Sequence, residues 1–179
     1  FVYGATVTLA KNGFVRTGYA FAGWARDAAT GMSPPLLEDG AVLKDVSAIQ
    51  DGVIHLYAVW TANGYEVRFD ANGGAGTMEP MVFAYGEEKA LRANGFVKTG
   101  YTFAGWNVAA PRREDASGTV GDSEVVSNMT AKAGGVVTLY ATWMPNEYTV
   151  DFNPGRGGSG TMPDQPMTYD EEEALYSNL

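Results

Sequence analysis

The sequence of 179 residues contains no cysteine, which excludes several kinds of chemistry at once. A chain without thiols has no cysteine nucleophile, no thiolate ligand for a metal and no disulfide. The same absence fits a cytosolic protein and a bacterial surface protein, so it leaves the cellular compartment open.

Long apolar runs and a basic charge balance are missing as well. No stretch of about 18 apolar residues is present, so we expect no membrane insertion in this segment. Charged residues make up 18% of the chain, and its formal net charge is −9. Because an acidic chain repels phosphate groups, we expect neither nucleic acid nor an anionic membrane surface as a partner.

What the sequence does contain is an internal repeat. Residues 1–24 (FVYGATVTLAKNGFVRTGYAFAGW) and 83–106 (FAYGEEKALRANGFVKTGYTFAGW) are identical at 15 of 24 positions. A third copy begins near Tyr148, where YTVDFN matches YEVRFD at Tyr65. The offset is 82 to 84 residues. We therefore predict the back part of a first copy (1–60), a complete copy (64–143) and the front part of a further copy (147–179).

The segments between copies are short. Residues 61–64 and 144–147 are only about four residues each, which leaves neighbouring copies little freedom. We expect an elongated array of modules with restricted junctions rather than one globule.

Each copy is predicted to be α+β. Alternation of apolar and polar residues, or an apolar run, predicts four strands in the complete copy, at 65–70, 81–85, 101–106 and 136–143. Asn72, Gly73 and Gly74 predict a turn after the first of them. Residues 87–91 are good helix formers, and Gly95 is placed to end a short helix.

Specific motifs recur in each copy at matching positions. GYAFAGW (18–24) and GYTFAGW (100–106) combine with FDANGG (69–74), with GTM (76–78 and 160–162), and with LYAVW or LYATW. In these motifs the chain resembles the Listeria–Bacteroides repeat, the family that includes the B-repeat of a Listeria internalin. The resemblance covers practically the whole chain. It implies tandem β-grasp-like (ubiquitin-like) modules in bacterial surface or secreted proteins, and it implies no catalysis.

The residues of this repeat signature are predicted to be structural. They are Gly18, Tyr19, Phe21, Gly23, Trp24, Trp60, Gly100, Tyr101, Phe103, Gly105, Trp106 and Trp143. Aromatic residues that recur in the most apolar strands are typical of a repeated core. Exposed aromatic side chains also bind many ligands, so a platform for sugars is the alternative interpretation.

Candidates for catalysis are few. His55 is the single histidine, and Thr138 occupies the matching position of the next copy, so we predict a solvent-facing strand residue. Paired carboxylates can carry out acid–base catalysis across a cleft. Here the acidic clusters lie at the start of the predicted helix or in a polar loop, where solvated carboxylates are expected. The first copy has Ala5-Thr6 at the position of Glu87-Glu88, so the acidic pair is not a constant part of the repeat. These clusters are 38–39, 87–88 and 171–173.

Metal and phosphate sites are not indicated either. Asp70 and Asn72 offer oxygen ligands, but they lack the spacing of a calcium loop and fit ordinary turn chemistry. The glycine-rich segments 72–76 and 155–160 lack the lysine and the strand–loop–helix setting of a phosphate loop. We therefore predict that the chain is not an enzyme and has no cofactor.

Two stretches differ most between copies, 25–52 and 107–135. Loops on a fixed scaffold are where recognition diversifies. Relaxed constraint on loop sequence explains the same difference, and both interpretations stay open.

The predicted function is a non-catalytic stalk or interaction module of a bacterial cell-surface or secreted protein. Its expected partners are neighbouring repeats, with host glycans or matrix proteins as further candidates. The alternative function is a module that binds carbohydrate or mucin through exposed Trp and Tyr. Because the third copy consists of little more than the hairpin that the first copy lacks, head-to-tail self-association is a further expectation.

Overall fold

The computed structural model describes residues 4–26, 37–44, 52–110 and 118–177, and within these residues all regular structure is β-strand. The strands are β1 (Thr6–Thr8), β2 (Tyr19–Ala25), β3 (Val42–Lys44), β4 (Tyr57–Ala62), β5 (Gly64–Asp70), β6 (Met81–Ala84), β7 (Lys89–Ala90), β8 (Tyr101–Asn107), β9 (Val125–Val126), β10 (Gly135–Pro145), β11 (Glu147–Val150) and β12 (Gln165–Thr168).

The complete copy is built on a four-stranded sheet in the order β6-β5-β10-β8. The predicted strands at 65–70, 81–85, 101–106 and 136–143 are confirmed as β5, β6, β8 and β10. In β5 the side chains of Tyr65 and Val67 are buried while Arg68 is exposed, as the alternating pattern requires. Strands β8 and β10 are antiparallel, with a register shift between Thr142 and Trp143.

The prediction of an α+β, ubiquitin-like fold is wrong. No helix occurs in the described part of the chain, and the main sheet is a half-barrel. In the predicted helix at 87–91, Lys89 and Ala90 instead form β7, which pairs with β9. A helix of five residues has too few hydrogen bonds to offset its nucleation, so tertiary pairing decides the conformation of this segment.

The start of that segment is a turn. The Glu87 N–H donates to the carbonyl of Ala84 at 3.0 Å, and the Glu87 carboxylate accepts a hydrogen bond from the Ala84 N–H at 2.9 Å. Leu91 then enters the core and is buried. The acidic side chains at 87–88 are therefore not at a helix N-terminus, and that part of the prediction is also wrong.

Contacts between Cα atoms divide the chain into two compact units. Unit 1 comprises residues 1–66, 82–89 and 126–136, and unit 2 comprises 67–81, 90–125 and 137–179. Unit 1 contains the small antiparallel sheets β1-β3 and β2-β4. Unit 2 contains the antiparallel pair β11-β12 and the core around Trp106.

The core of unit 2 is an aromatic cluster centred on Trp106, which is fully buried. Its ring lies 4.8 Å from that of Phe103, 5.0 Å from Phe69 and 6.1 Å from Phe96, between ring centroids. These separations are those of favourable tilted or edge-on aromatic pairs. The signature aromatic of β8 therefore packs against its own strand, against β5 and against the segment that precedes β8.

Candidate functional site at the repeat-to-repeat junctions

A single asparagine separates the last strand of one copy from the first strand of the next. Asn63 lies between β4 and β5, and Asn146 lies between β10 and β11, an offset of 83 residues. The predicted connections of about four residues are therefore mostly strand. These two positions are the centres of what we call the first and second junctions.

At the first junction the backbone of Asn63 joins the two copies. Its N–H donates to the carbonyl of Gly18 at 2.8 Å, and its carbonyl accepts from the N–H of Tyr85 at 2.8 Å. Its side-chain amide donates to the carbonyl of Ala131 at 2.8 Å. The asparagine thus contacts the start of β2, the turn after β6 and the loop before β10.

The second junction repeats this arrangement in unit 2. The N–H of Asn146 donates to the carbonyl of Gly100 at 2.8 Å, and the carbonyl of Asn146 accepts from the N–H of Tyr169 at 2.9 Å. The hydroxyl of Thr102 is 2.7 Å from the Asn146 side-chain oxygen. Equivalent backbone atoms therefore make equivalent hydrogen bonds at both junctions.

An edge-on tyrosine pair accompanies the asparagine at each junction. At the first junction the rings of Tyr19 and Tyr85 are 5.7 Å apart at an interplanar angle of 77°. At the second junction the rings of Tyr101 and Tyr169 are 5.6 Å apart at 76°. The two pairs come from matching positions of successive copies, so the contact belongs to the repeat and not to one copy.

A cation lies over one tyrosine of each pair. The guanidinium of Arg16 is 3.8 Å from the ring centroid of Tyr19, and the ammonium of Lys98 is 4.1 Å from that of Tyr101. Such contacts contribute about 0.5–1 kcal/mol at exposed sites. At the second junction the Tyr101 hydroxyl also donates to a carboxylate oxygen of Asp170 at 3.0 Å.

Glycine is required for two reasons at the positions that precede Tyr19 and Tyr101. Gly18 has φ +78° and Gly100 has φ +76°, a conformation that other residues adopt at a cost. In addition, a Cβ at Gly18 would overlap the ring of Tyr85, and a Cβ at Gly100 would overlap the ring of Tyr169. The ring of the next copy therefore occupies the space that any side chain would need.

The structure places the predicted signature residues in three settings. Gly18, Tyr19, Gly100 and Tyr101 lie at the junctions. Gly23 and Gly105, both with positive φ, lie in β2 and β8. The aromatic clusters contain Phe21, Trp24, Trp60, Phe103, Trp106 and Trp143.

Burial of these aromatics differs between copies. Trp106 is 0% and Trp143 is 9% exposed, whereas Trp24 and Trp60 are half-buried. The indole N–H of Trp143 also donates to the carbonyl of Ala71 at 2.9 Å. In the complete copy, β5 supplies Phe69 against Trp106.

The polar residues that the sequence offered as candidates for catalysis or metal binding lie away from the junctions or accept hydrogen bonds from backbone N–H groups in turns and loops. His55 is exposed and precedes β4. Asp70 accepts the N–H of Asn72 at 2.8 Å, and Asn153 accepts that of Gly155 at 2.9 Å. Asp39 accepts the N–H of Asn12, as Asp122 accepts that of Asn94 at the matching position. Among the described residues, no group of three His, Cys, Asp or Glu side chains could hold a metal ion.

Residues 27–36 and 45–51 of the first variable stretch and 111–117 of the second lie outside the described residues. The described end of the second stretch has a structural role. Gly118 donates to the carbonyl of Ala104, and Val120 exchanges two hydrogen bonds with Trp106. Residues 118–120 therefore pair with the outer edge of β8.

Sequence reasoning did not identify the two asparagines as contact residues. A signal was present, because Asn63 and Asn146 are identical residues one repeat apart within otherwise dissimilar connections. Tyr85 and Tyr169 carried the same signal inside the aligned YG and YD dipeptides.

Known proteins are similar to this chain over most of its length. The chain is 31% identical over 191 aligned positions to a protein named "Putative Gly-rich membrane protein" of Evansella cellulosilytica, covering 97% of this chain and 20% of that protein. It is 29% identical over 158 positions to a "Putative membrane protein" of the same organism, covering 88% of this chain and 21% of the relative.

The chain therefore spans about a fifth of the length of the curated relatives it matches. No solved structure matches it. In the part of the chain that the structure describes, no helix has the length and apolar character needed to cross a membrane. The family model of the Listeria–Bacteroides repeat domain matches residues 1–34 and 65–142, and with this match the chain belongs to that family.

Proposed function

We propose that this chain is a non-catalytic spacer of a bacterial cell-surface or secreted protein, in which the junctions set the angle between successive repeats. The observation that carries the proposal is the recurrence of one junction: the same backbone hydrogen bonds, tyrosine pair, cation and glycine at both repeat boundaries. A flexible tether would need none of these contacts.

The energetics of a junction favour order over free movement. Asn63 is the only residue between β4 and β5, so ordering the backbone of this connection costs about 1–2 kcal/mol. Two backbone hydrogen bonds contribute about 0.5–1.5 kcal/mol each, and the ring pair contributes about 0.5–1.5 kcal/mol. The contacts outweigh the cost of ordering one residue.

Surface location is supported by the relatives and the family. Both relatives carry names of membrane proteins and are about five times longer than the aligned part. The net charge of −9 suits an exposed module that remains soluble. A spacer requires no reactive group, which agrees with the turn roles of the acidic and amide side chains described above.

Distance measurement between spin labels tests the fixed junction. The chain has no native cysteine, so Glu38→Cys in the first copy and Glu88→Cys in the second carry one label each at exposed positions of unit 1. We expect a narrow distance distribution in the parent and a broader one after Tyr85→Ala, which removes one ring of the pair. Tyr57→Ala removes an exposed tyrosine away from the junction and serves as the matched control.

A broad distribution in the parent, or equal widths for Tyr85→Ala and parent, would overturn the spacer proposal. Location is tested separately by protease treatment of intact cells that produce the full-length protein. Release of repeat fragments without lysis is the expected result, and protection until lysis contradicts a surface location.

The alternative of a sugar-binding platform gains no support from the complete copy. Trp106 and Trp143 are buried there, so neither presents a ring face to a ligand. A screen of the folded chain against immobilised glycans, mucin and matrix proteins measures this alternative directly. Saturable binding would favour the interaction module over a pure spacer.

A further inference from the structure

The outer edge of β6 in the complete copy is a second feature, separate from the junction contacts. Strand β6 is one of the two outer strands of the four-stranded sheet. Outer strands present unpaired N–H and C=O groups and can pair with a strand of another molecule. The segment from Met81 to Tyr85 has no charged residue and reads MVFAY, a composition that favours such pairing.

Two side chains occupy this edge. The ammonium of Lys89 donates to the carbonyl of Val82 at 3.1 Å, and the carboxylate of Glu87 accepts from the N–H of Ala84 at 2.9 Å. Lys89 and Glu87 are also 3.7 Å apart as an ion pair. Residues 82 and 84 have the same parity along the strand, so their backbone groups point to the same side.

That side is the one facing away from β5. Tyr85, which has the opposite parity, donates its N–H to Asn63 at the start of β5. The side chains of Glu87 and Lys89 therefore use backbone groups that an added strand would need. We call this pair the edge guard.

The third copy blocks the same edge by other means. Pro166 occupies the position of Val82 on β12, and Glu173 replaces Lys89. Thr149 of β11 is the register partner of Pro166. Tyr169, whose N–H donates to Asn146, is three residues further along the chain, so the backbone nitrogen of Pro166 points to the opposite, free side. Proline has no N–H and is tolerated on the free side of an edge strand, where it prevents further pairing.

The opposite side of the main sheet is covered by backbone. Residues 118–120 make three backbone hydrogen bonds to β8, through Ala104 and Trp106, and the Thr119 N–H also donates to the side-chain oxygen of Asn107. The β6 edge has no such backbone cover among the described residues, and there the side chains of Glu87 and Lys89 bind the backbone groups.

We propose that Glu87 and Lys89 protect the β6 edge from pairing with the same edge of a second copy of this chain. An uncharged, apolar strand would fit against the exposed Val82 side chain, the Val82 carbonyl and the Ala84 N–H. The β6 strand of a second copy is such a strand. The ion pair itself contributes little to stability because both side chains are well exposed to solvent. Its role is to keep tandem repeats from associating edge to edge.

The test is sedimentation of the whole chain over a range of concentrations. Glu87→Ala/Lys89→Ala is compared with Glu88→Ala/Arg92→Ala, which removes the same charges from neighbouring exposed positions. We expect the weight-average mass of the edge-guard variant to rise with concentration toward about twice that of the parent. The control variant should sediment as the parent does.

A rescue identifies the edge. Val82→Pro, added to the edge-guard variant, copies the third repeat and should restore the parent's sedimentation, because the lost N–H is on the free side. If the edge-guard variant sediments as the parent at every concentration, or if Val82→Pro does not reverse its association, the proposal is wrong. Head-to-tail association through the chain ends would not respond to Val82→Pro.

Folding is checked by circular dichroism and thermal unfolding of each variant. Where the double variant does not fold, Lys89→Ala alone decides the question, since it leaves the Glu87 turn in place. Association of Lys89→Ala that Val82→Pro reverses supports the proposal, and unchanged sedimentation contradicts it.

Discussion

At the scale of single residues, Gly100 is constrained by its own backbone and by the ring of another repeat. Its φ of +76° is costly for any other residue, and Tyr169 occupies the space of a Cβ. Gly155 has nearly the same φ, +73°, but a Cβ there meets nothing within 4 Å. This pair of glycines separates conformational strain from steric overlap.

We predict that Gly100→Ala destabilises the chain more than Gly155→Ala. The left-handed conformation costs alanine about 1 kcal/mol at either position. At Gly100 displacement of the Tyr169 ring adds about 1–3 kcal/mol. Urea unfolding monitored by circular dichroism measures both variants. Equal losses would show that the tyrosine ring moves away freely and that the junction is not tightly packed.

The tryptophans give a second test at this scale. Trp24→Phe/Trp60→Phe leaves only the two buried indoles, Trp106 and Trp143. We expect the emission of this variant to shift to shorter wavelength and its quenching by acrylamide to fall below that of the parent. Undiminished quenching, or a response of the emission to added sugars, would indicate that the indoles of the complete copy are accessible.

At the scale of the element, the turn after β5 is held by side-chain contacts that a turn motif alone does not specify. Asn72 has φ +44°, and its side-chain amide donates to the carbonyl of Ala141 in β10 at 2.9 Å. The indole N–H of Trp143 donates to the adjacent carbonyl of Ala71 at 2.9 Å. The turn is therefore fixed to the strand next to β5.

We predict that Asn72→Ala costs about 2 kcal/mol and Asn72→Gly about 1 kcal/mol in the free energy of unfolding. Both variants lose the hydrogen bond to Ala141, worth about 1 kcal/mol. Alanine alone also meets the strain of positive φ. Denaturant titration of the two variants separates these contributions, and equal costs would exclude a role for the backbone conformation.

Long-range contacts of the segment 87–91 explain why the helix prediction failed. Residues 87–91 have good intrinsic helix propensity, yet Glu87 caps the β6 edge and Leu91 is buried. The backbone of Leu91 also donates to Glu124 at 2.9 Å. A five-residue segment has weak local preference, so these long-range partners override it.

At the scale of the whole molecule, each junction should respond to its own tyrosine. We predict that Tyr85→Ala lowers the hydrogen-exchange protection of the Asn63 amide by roughly 2- to 10-fold, because the ring pair contributes about 0.5–1.5 kcal/mol. The Asn146 and Tyr169 amides at the second junction should keep their protection. Exchange measured residue by residue by NMR provides this internal control.

A loss of protection at both junctions would contradict local control and indicate that the repeats unfold together. Unchanged protection at Asn63 would show that the backbone hydrogen bonds alone hold the first junction.

The repeat, its family and the four main strands of the complete copy can all be read from the amino-acid sequence. The 15 identities in 24 positions and the motif ending at Trp106 are visible without coordinates. Period-2 alternation identified β5 because it depends only on near neighbours in the chain. The signature glycines and aromatics were found for the same reason, since they recur one period apart.

The contacts between copies and the burial of the aromatics depend on long-range packing, which the sequence pattern does not specify. Asn63 contacts residues 45 positions before it and 22 after it, and no local pattern encodes such pairs. Trp106 is buried because Phe69 of β5 and Phe96 pack against it, and both belong to other segments of the chain. Segment 87–91 became a turn and a short strand because distant partners outweighed a propensity too weak, over five residues, to form a helix.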